Sequence, residues 1–276
     1  MTNLPKFTVC MSVYYKSKPA EFLAAFESIV DQTVPPDEII LVVDGPIPDD
    51  LEEAVKVAQN NPSLQLVRLP ENKGHATVRQ TGLELASHSL VGIMDGDDLS
   101  LPDRFELQLQ YLIQHPEVDI VGGQICEFYS SSNKIIGKRE VPLSDSDIKE
   151  YLKRRSPFNF VTVMFKRESV MKVGGFMEWF CEEDYYLWIR MALANCRFAN
   201  LDNTLVKVRI DENTYHRRGG WKYFMSEAKI QVFMLKHHII SFIRACVNIS
   251  IRFVVQVLMP NSVRAFFFRT VFRNKN

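Results

Sequence analysis

The stretch LVGIMDGDD, residues 90–98, decides how this chain is read. Leu90 to Met94 form a short apolar run with the length of a buried strand. It ends in three carboxylates, Asp95, Asp97 and Asp98, set within four residues. Like charges packed this closely disfavour one another's ionisation, so their position at the end of a buried segment calls for a partner. Acids beside a glycine also make turns, and acids ahead of a helix favour its dipole. The chemical reading is a hard divalent cation. Mg2+ or Mn2+ takes oxygen ligands, usually one or two carboxylates completed by phosphate oxygens and water.

Outward from this run, strand-like and helix-like segments alternate. Phe7–Tyr15 is apolar and rich in β-formers, and in Ala20–Val30 the residues Phe22, Leu23, Phe26, Ile29 and Val30 recur at helical spacing. Glu38–Val43 is an apolar strand stopped by Asp44-Gly45-Pro46. Asp49–Gln59 reads as helix, Leu64–Leu69 as strand and Ala76–Ala86 as helix. Pro102–His115 reads as helix, with Ser100 as its N-cap and Pro102 in its first turn. This alternation predicts an α/β fold with a mostly parallel sheet flanked by helices. Ligands of such sheets bind beyond the carboxyl ends of the strands. Three of those ends carry Tyr14/Tyr15, Asp44-Gly45 and Asp95-Gly96-Asp97-Asp98. From Asp119 the pattern loosens. The strand-like pieces IVGGQICEFY, FNFVTVMF, RFANL and LVKVRI surround one strong helix, Asp184–Ala194, and complete the same fold.

At 276 residues and 46% hydrophobic, the chain is long enough for one large domain with an appendage. It has 33 Lys/Arg and 33 Asp/Glu; eleven of those bases but a single acid, Glu227, lie from Arg217 onward. The first 216 residues therefore keep 22 bases against 32 acids. A neutral total hides an acidic body and a basic tail, which points to an anionic partner for the tail. The five cysteines are scattered without CxxC spacing and read as reduced thiols of a cytosolic protein. MTNLPKFTV lacks the basic and apolar regions of a secretory signal.

A phosphatase-type DxDxT site is weakened because Leu99 stands where its Thr belongs, and no GxxxxGK[ST] loop occurs. Six segments together resemble the family 2 glycosyltransferases, inverting enzymes of GT-A fold. They are SVYY (12–15), DEIILVVDG (37–45), ENKGHATVRQTGLELA (71–86), MDGDDLSLPDRFELQ (94–108), GGF (174–176) and EEDYYLWIRM (182–191), collinear over roughly residues 7–195. The resemblance is strongest to bacterial enzymes that build O antigen or capsule on a polyprenyl diphosphate carrier. It implies a GT-A domain over 1–220, its nucleotide-binding half about 1–125 and acceptor half about 126–220, followed by a tail at 221–276.

The resemblance also implies roles. Tyr14 and Asp44 border the nucleotide base, Arg79 lies against the nucleotide, and Asn72-Lys73-Gly74 forms the bend before its helix, with Lys73 on the nucleotide side. Many relatives have Ala-Arg-Asn where this chain has Val78-Arg79-Gln80. Asp95 faces the ribose and shares the metal, Mn2+ or Mg2+, with Asp97. Asp98 holds the loop or touches metal. Inverting transfer is one displacement at the anomeric carbon, and it needs one carboxylate to take the acceptor's proton. Asp184 is the expected base and Glu183 the second candidate. The same acids could instead only cap the helix that follows. Trp188 reads as core, and Trp179 and Phe180 as possible sugar platforms. In VRIDENTYHRRGG (208–220), Arg217 and Arg218 suit a basic loop over the diphosphate, and His216 is a candidate third metal ligand.

Residues 239–259 are apolar enough for a span, but Arg244 and Arg252 would each cost about 2.5–3.5 kcal/mol in a bilayer centre. Ser241, Arg244, Asn248, Arg252 and Gln256 instead make one polar stripe on a wide apolar helix. With Phe266-Phe267-Phe268 among Arg264, Arg269 and Arg273, this fits a helix lying in an anionic leaflet. A packed helix or a homo-oligomer contact accounts for the same stripe. Nucleic acid fits the charge but not the aliphatic face. The expected place is the cytoplasmic face of a bacterial inner membrane, with a UDP-sugar donor and a polyprenyl-linked acceptor. Two readings compete: a sugar-nucleotidyltransferase, which would want a Gly-rich loop where SVYYKSKP has none, and a non-catalytic carbohydrate-binding protein.

Overall fold

Continuous apolar runs build the first half of the sheet because both of its faces are covered by helices. β1 (Phe7–Tyr14), β2 (Glu38–Asp44) and β4 (Leu90–Ile93) are buried along almost their whole length, while β3 (Leu64–Arg68) is half-buried. The computed structural model describes residues 4–129, 134–210 and 219–259. The remaining strands are β5 (Leu99–Ser100), β6 (Ile120–Tyr129), β7 (Ile135–Arg139), β8 (Met164–Lys166) and β9 (Phe198–Ile210). They assemble in the order β3-β2-β1-β4-β8-β6-β9-β5, with β7 pairing β6. The run β3-β2-β1-β4 is parallel throughout. β8 enters antiparallel between β4 and β6, and β9 then lies parallel to β6. The sheet is mixed, as a GT-A fold requires.

Helices α1 (Pro19–Val30), α2 (Asp49–Ala58), α3 (His75–Leu85) and α4 (Arg104–Gln114) connect the first strands. α5 (Asp145–Leu152), α6 (Arg167–Lys172), α7 (Glu183–Leu193), α8 (Trp221–Lys236) and α9 (Phe242–Phe253) follow. One buried cluster joins Phe22, Phe26, Leu51 and Val55 to Phe7, Met11 and Leu41. The other joins Ile40, Val42 and Val91 to Leu187, Trp188 and Ile189 of α7 and to Ile230, Met234 and Ala245 of the last two helices. Trp188 is fully buried, as a core residue should be, with Phe158 at 5.1 Å between ring centres.

Three local expectations are corrected. Ser100 is not a helix N-cap. Leu99 and Ser100 pair with Lys207 and Val206, and the Ser100 N–H donates to Ser28 Oγ at 3.0 Å, so α4 begins later, at Arg104. RFANL and LVKVRI are one strand, β9, bridged by a register shift rather than broken at Asp202-Asn203. FNFVTVMF is a 3-10 turn, Phe160–Thr162, followed by the short β8.

The polar stripe of α9 faces the protein. Asn248 Nδ2 donates to the Lys153 carbonyl at 2.9 Å and to Gln231 Oε1 at 2.8 Å. Arg244 pairs with Glu150 at 2.7 Å and Arg252 with Glu227 at 2.5 Å, while Gln256 Nε2 donates to Glu227 at 2.7 Å. Among the described residues, no helix is long and apolar enough to cross a membrane.

Candidate active site

The site forms where neighbouring strand ends meet the N-terminal end of α3. Tyr14 and Asp44 stand side by side in register as the last residues of β1 and β2. Asp44 is buried, and its two carboxylate oxygens accept the N–H groups of Lys73 at 2.6 Å and Gly74 at 3.1 Å. It thus anchors the Asn72-Lys73-Gly74 bend, while each oxygen keeps a second lone pair. Gly45 is forced twice over. Its φ is +80°, and a Cβ there would meet the Asn72 nitrogen at 2.6 Å. Lys73 reaches Glu71 across the bend and stays half-exposed.

The acidic loop crosses the end of β1 so closely that a Cβ on Gly96 would lie 2.6 Å from the Ser12 carbonyl oxygen. The glycine inside Asp95-Gly96-Asp97 is therefore a close-approach residue. The loop hands its three acids to different surroundings. Asp98 is buried and accepts the Arg209 N–H at 2.7 Å. Burial and the nearby Asp97 and Asp95 push its carboxyl well above the usual carboxylate range. Asp97 is exposed. Its carbonyl accepts from Arg209 Nε at 2.8 Å. Asp95 is 38% exposed and lies 3.8 Å from Arg79. Below the loop, fully buried Arg104 donates to the Ile93 carbonyl at 2.8 Å and fixes the end of β4, and burial brings its pKa down to about 9. A small recess is lined by Cys10–Ser12, Val78-Arg79 and Ile93–Asp95.

Arg79 joins this loop to the second acidic group. From α3 its guanidinium lies 2.5 Å from Glu183 and 3.8 Å over the Phe160 ring. Glu183 is buried and engaged in that pair. Asp184 keeps some exposure and accepts a long bond from Ser156 Oγ at 3.5 Å. Burial, then the neighbouring Glu183, raises the Asp184 carboxyl above its ordinary value, while Arg79, the Tyr185 N–H and Arg139 pull it down. Gly174-Gly175-Phe176 sits between α3 and the last turn of α7. Phe176 N–H donates to Gln80 Oε1 at 2.8 Å, Arg190 donates to the Gly175 carbonyl at 2.7 Å, and Gly175 has no room for a Cβ beside Gln80. Gln80 of α3 thus aligns the helix carrying Arg79 with the one carrying Asp184.

Glu182 completes the group from beneath. It is buried, accepts the Tyr223 hydroxyl at 2.7 Å, and is pushed well above the ordinary range by burial and by Glu227 and Asp184. Trp179 is partly buried. It packs on Tyr186 at 4.5 Å and its Nε1–H donates to the Ser226 carbonyl at 3.2 Å. Phe180 is exposed, with Lys222 Nζ 4.1 Å from its ring centre. His216, Arg217 and Arg218 lie outside the described residues. The segment holding them leaves β9 next to Arg209, which touches the acidic loop, and rejoins before α8, whose Tyr223 touches Glu182.

The donor set fits Mg2+ or Mn2+ of the kind completed by substrate oxygens. Among the described residues, no group of three or more His, Cys, Asp and Glu side chains forms a metal cage. Exposed Asp97 and half-exposed Asp95 could supply the one or two carboxylates such an ion takes beside phosphate and water. The sequence pointed to Asp97, Asp95, Asp184 and Glu183. It did not single out Arg139, Ser156, Phe160 or Tyr223, which act through single polar or ring contacts to the site's acids and Arg79 and carry no motif.

The family model described as Glycosyl transferase family 2 matches residues 8–180. The amylovoran biosynthesis glycosyltransferase AmsE of Erwinia amylovora is 35% identical over 262 residues, covering 95% of this chain and 97% of its own. An Escherichia coli protein named UDP-Gal:alpha-D-GlcNAc-diphosphoundecaprenol beta-1,3-galactosyltransferase is 34% identical over 272 residues, covering 98% of each chain. Among solved structures, S. aureus TarS 1-349 superposes with a TM-score of 0.65 at 17% identity, covering 95% of this chain and 74% of that one. A mannosyltransferase of Pyrobaculum calidifontis in complex with GDP-Man and Mn2+ superposes with a TM-score of 0.63 at 18% identity, covering 96% and 79%. These two likenesses speak to the fold.

Proposed function

The chain belongs to glycosyl transferase family 2, and on that premise we propose that it moves a hexose, glucose or galactose, from a UDP-sugar to a GlcNAc- or GalNAc-diphospho-undecaprenol acceptor. The transfer inverts the anomeric carbon, forms a β-1,3 linkage and serves the assembly of O antigen or capsule at the cytoplasmic face of a bacterial inner membrane. The observation that carries this reading is the Arg79 bridge. One guanidinium spans Asp95 of the donor loop and Glu183 of the base motif, groups far apart in sequence. The E. coli relative's name supplies the donor and acceptor classes.

The residues divide the work. Asp44 holds the bend of residues 72–74 beside Tyr14, where the base of the nucleotide sits. Asp95 faces the ribose. Asp97 and Asp95 would hold a divalent cation, which when bound would supply neutralising charge to the diphosphate. Asp184 accepts the proton of the acceptor hydroxyl as its oxygen bonds to the anomeric carbon and the bond to the diphosphate breaks, releasing UDP. Glu183 holds Arg79 at the donor side, so the two neighbouring acids take different tasks. Arg217 and Arg218 stand in sequence between two anchored flanks and suit the leaving diphosphate; His216 is the proposed third metal ligand.

The test is a screen of UDP-hexoses against GlcNAc- and GalNAc-diphospho-lipid acceptors, with and without Mn2+, followed by linkage analysis. A β-linked hexose that disappears with EDTA and with Asp184→Asn is the expected result. Turnover that survives Asp184→Asn undiminished overturns the mechanism.

A further inference from the structure

An amphipathic helix that turns its polar stripe toward its own protein must turn its apolar side away from it. α9 does this. Its arginines and Asn248, with Gln256 of the turn that follows, are spent on internal partners, and the opposite side is exposed among the described residues: Phe242 is 69%, Ile243 75%, Ile251 56% and, in that turn, Leu258 61% exposed. Val247 and Val254 fill the same side at helical spacing. Trp221, 61% exposed, extends the patch from α8 and touches the Phe253 ring at 6.5 Å between centres. A bare aliphatic face of this length marks an interaction site.

We propose that the outward face of α9, with Trp221, docks the enzyme onto a lipid bilayer by burying apolar side chains rather than by pairing Arg244 and Arg252 with headgroups. The choice of a bilayer rests on the lipid-linked acceptor of the proposed reaction and on charge. From Ala228 to the C-terminus the sequence has eight Lys/Arg and no Asp or Glu. A segment of that charge attracts anionic headgroups, whereas a second copy brings the same positive charge. The docking helix is also tied to the chemistry. Arg252 pairs with Glu227 of α8, and Tyr223 of the same helix holds Glu182, two residues before Asp184. The bilayer plane and the base are thereby held in one frame, which suits an acceptor whose lipid stays in the membrane.

The test uses the full chain with phosphatidylcholine vesicles, with and without phosphatidylglycerol, in flotation assays. Ile243→Glu with Ile251→Glu is expected to weaken binding to both by roughly a hundredfold or more, and Arg244→Gln to leave it within about twofold. Should the glutamates disturb thermal melting, Ile243→Ser with Ile251→Ser removes the apolar area without adding charge. Wild-type protein that ignores both vesicles, or a double variant that binds as wild type, overturns the proposal. So does a wild-type dimer that the same substitutions dissociate, which assigns the face to a contact between copies. Transfer to a water-soluble acceptor is read separately: its absence in wild type sinks the transferase reading and leaves the docking result intact.

Discussion

The chain gathers carboxylates twice, in Asp95-Gly96-Asp97-Asp98 and in Glu182-Glu183-Asp184, and the structure treats the two groups in opposite ways. The first sits on a strand end and opens outward. Its buried member, Asp98, ties the loop to β9, and Asp97 is left exposed. The second sits at a helix start and closes inward. Glu182 and Glu183 are buried on Tyr223 and Arg79, and Asp184 is held above its ordinary pKa. Binding a hard cation wants ionised oxygens near water and phosphate. Abstracting a proton wants a carboxylate whose affinity for it has been raised by burial and like charge. One residue type can suit both tasks when its surroundings differ this way.

The largest expected effect separates the groups outright. Asp184→Asn should lower kcat by about 10²–10⁴-fold, the usual worth of a general base, with UDP affinity unchanged by calorimetry. Asp97→Ala should instead abolish the Mn2+-dependent part of UDP binding and lower turnover with it. If both variants lose UDP binding alike, the division between donor acids and base is wrong.

A smaller effect is a shift of the pH profile, and its sign follows from what surrounds Asp184. A base works when deprotonated, so activity rises with pH through its pKa. The Glu183 charge raises that pKa and Arg79 lowers it. Glu183→Gln should therefore move the acid limb of kcat to lower pH, and Arg79→Gln should move it to higher pH. Limbs that stay fixed in both variants would remove Asp184 from the titration.

Much of the first half of the fold is legible because parallel strands buried on both faces are simply apolar runs, such as Glu38–Asp44. The acidic groups were legible as motifs. What was not legible depends on distant partners. Ser100 looks like an N-cap until Val206 arrives to pair with it. The stripe on α9 shows which residues share a face, but only Glu150, Glu227 and Gln231 decide that the stripe points inward. Arg104 and Gln108 look like surface residues in sequence and are fully buried, with Gln108 donating to the carbonyls of Val121 at 3.1 Å and Thr162 at 2.8 Å.

The smallest effect concerns Glu182, the acid of the second group held by the Tyr223 hydroxyl. Its folded pKa lies well above the ordinary 4.5, chiefly through burial and then Glu227 and Asp184. A raised acid contributes its stability in full below its unfolded pKa and loses it as pH rises through the folded value. Glu182→Gln can still accept the Tyr223 hydroxyl but cannot ionise. The variant should match wild type in thermal melting near pH 4 and exceed it increasingly toward pH 8. Glu182→Ala leaves the hydroxyl unpaired and should cost about 1–3 kcal/mol at either pH. A melting difference that does not grow with pH would mean that Tyr223 and Arg252 already hold Glu182 ionised, and that the inward group carries more charge than its burial allows.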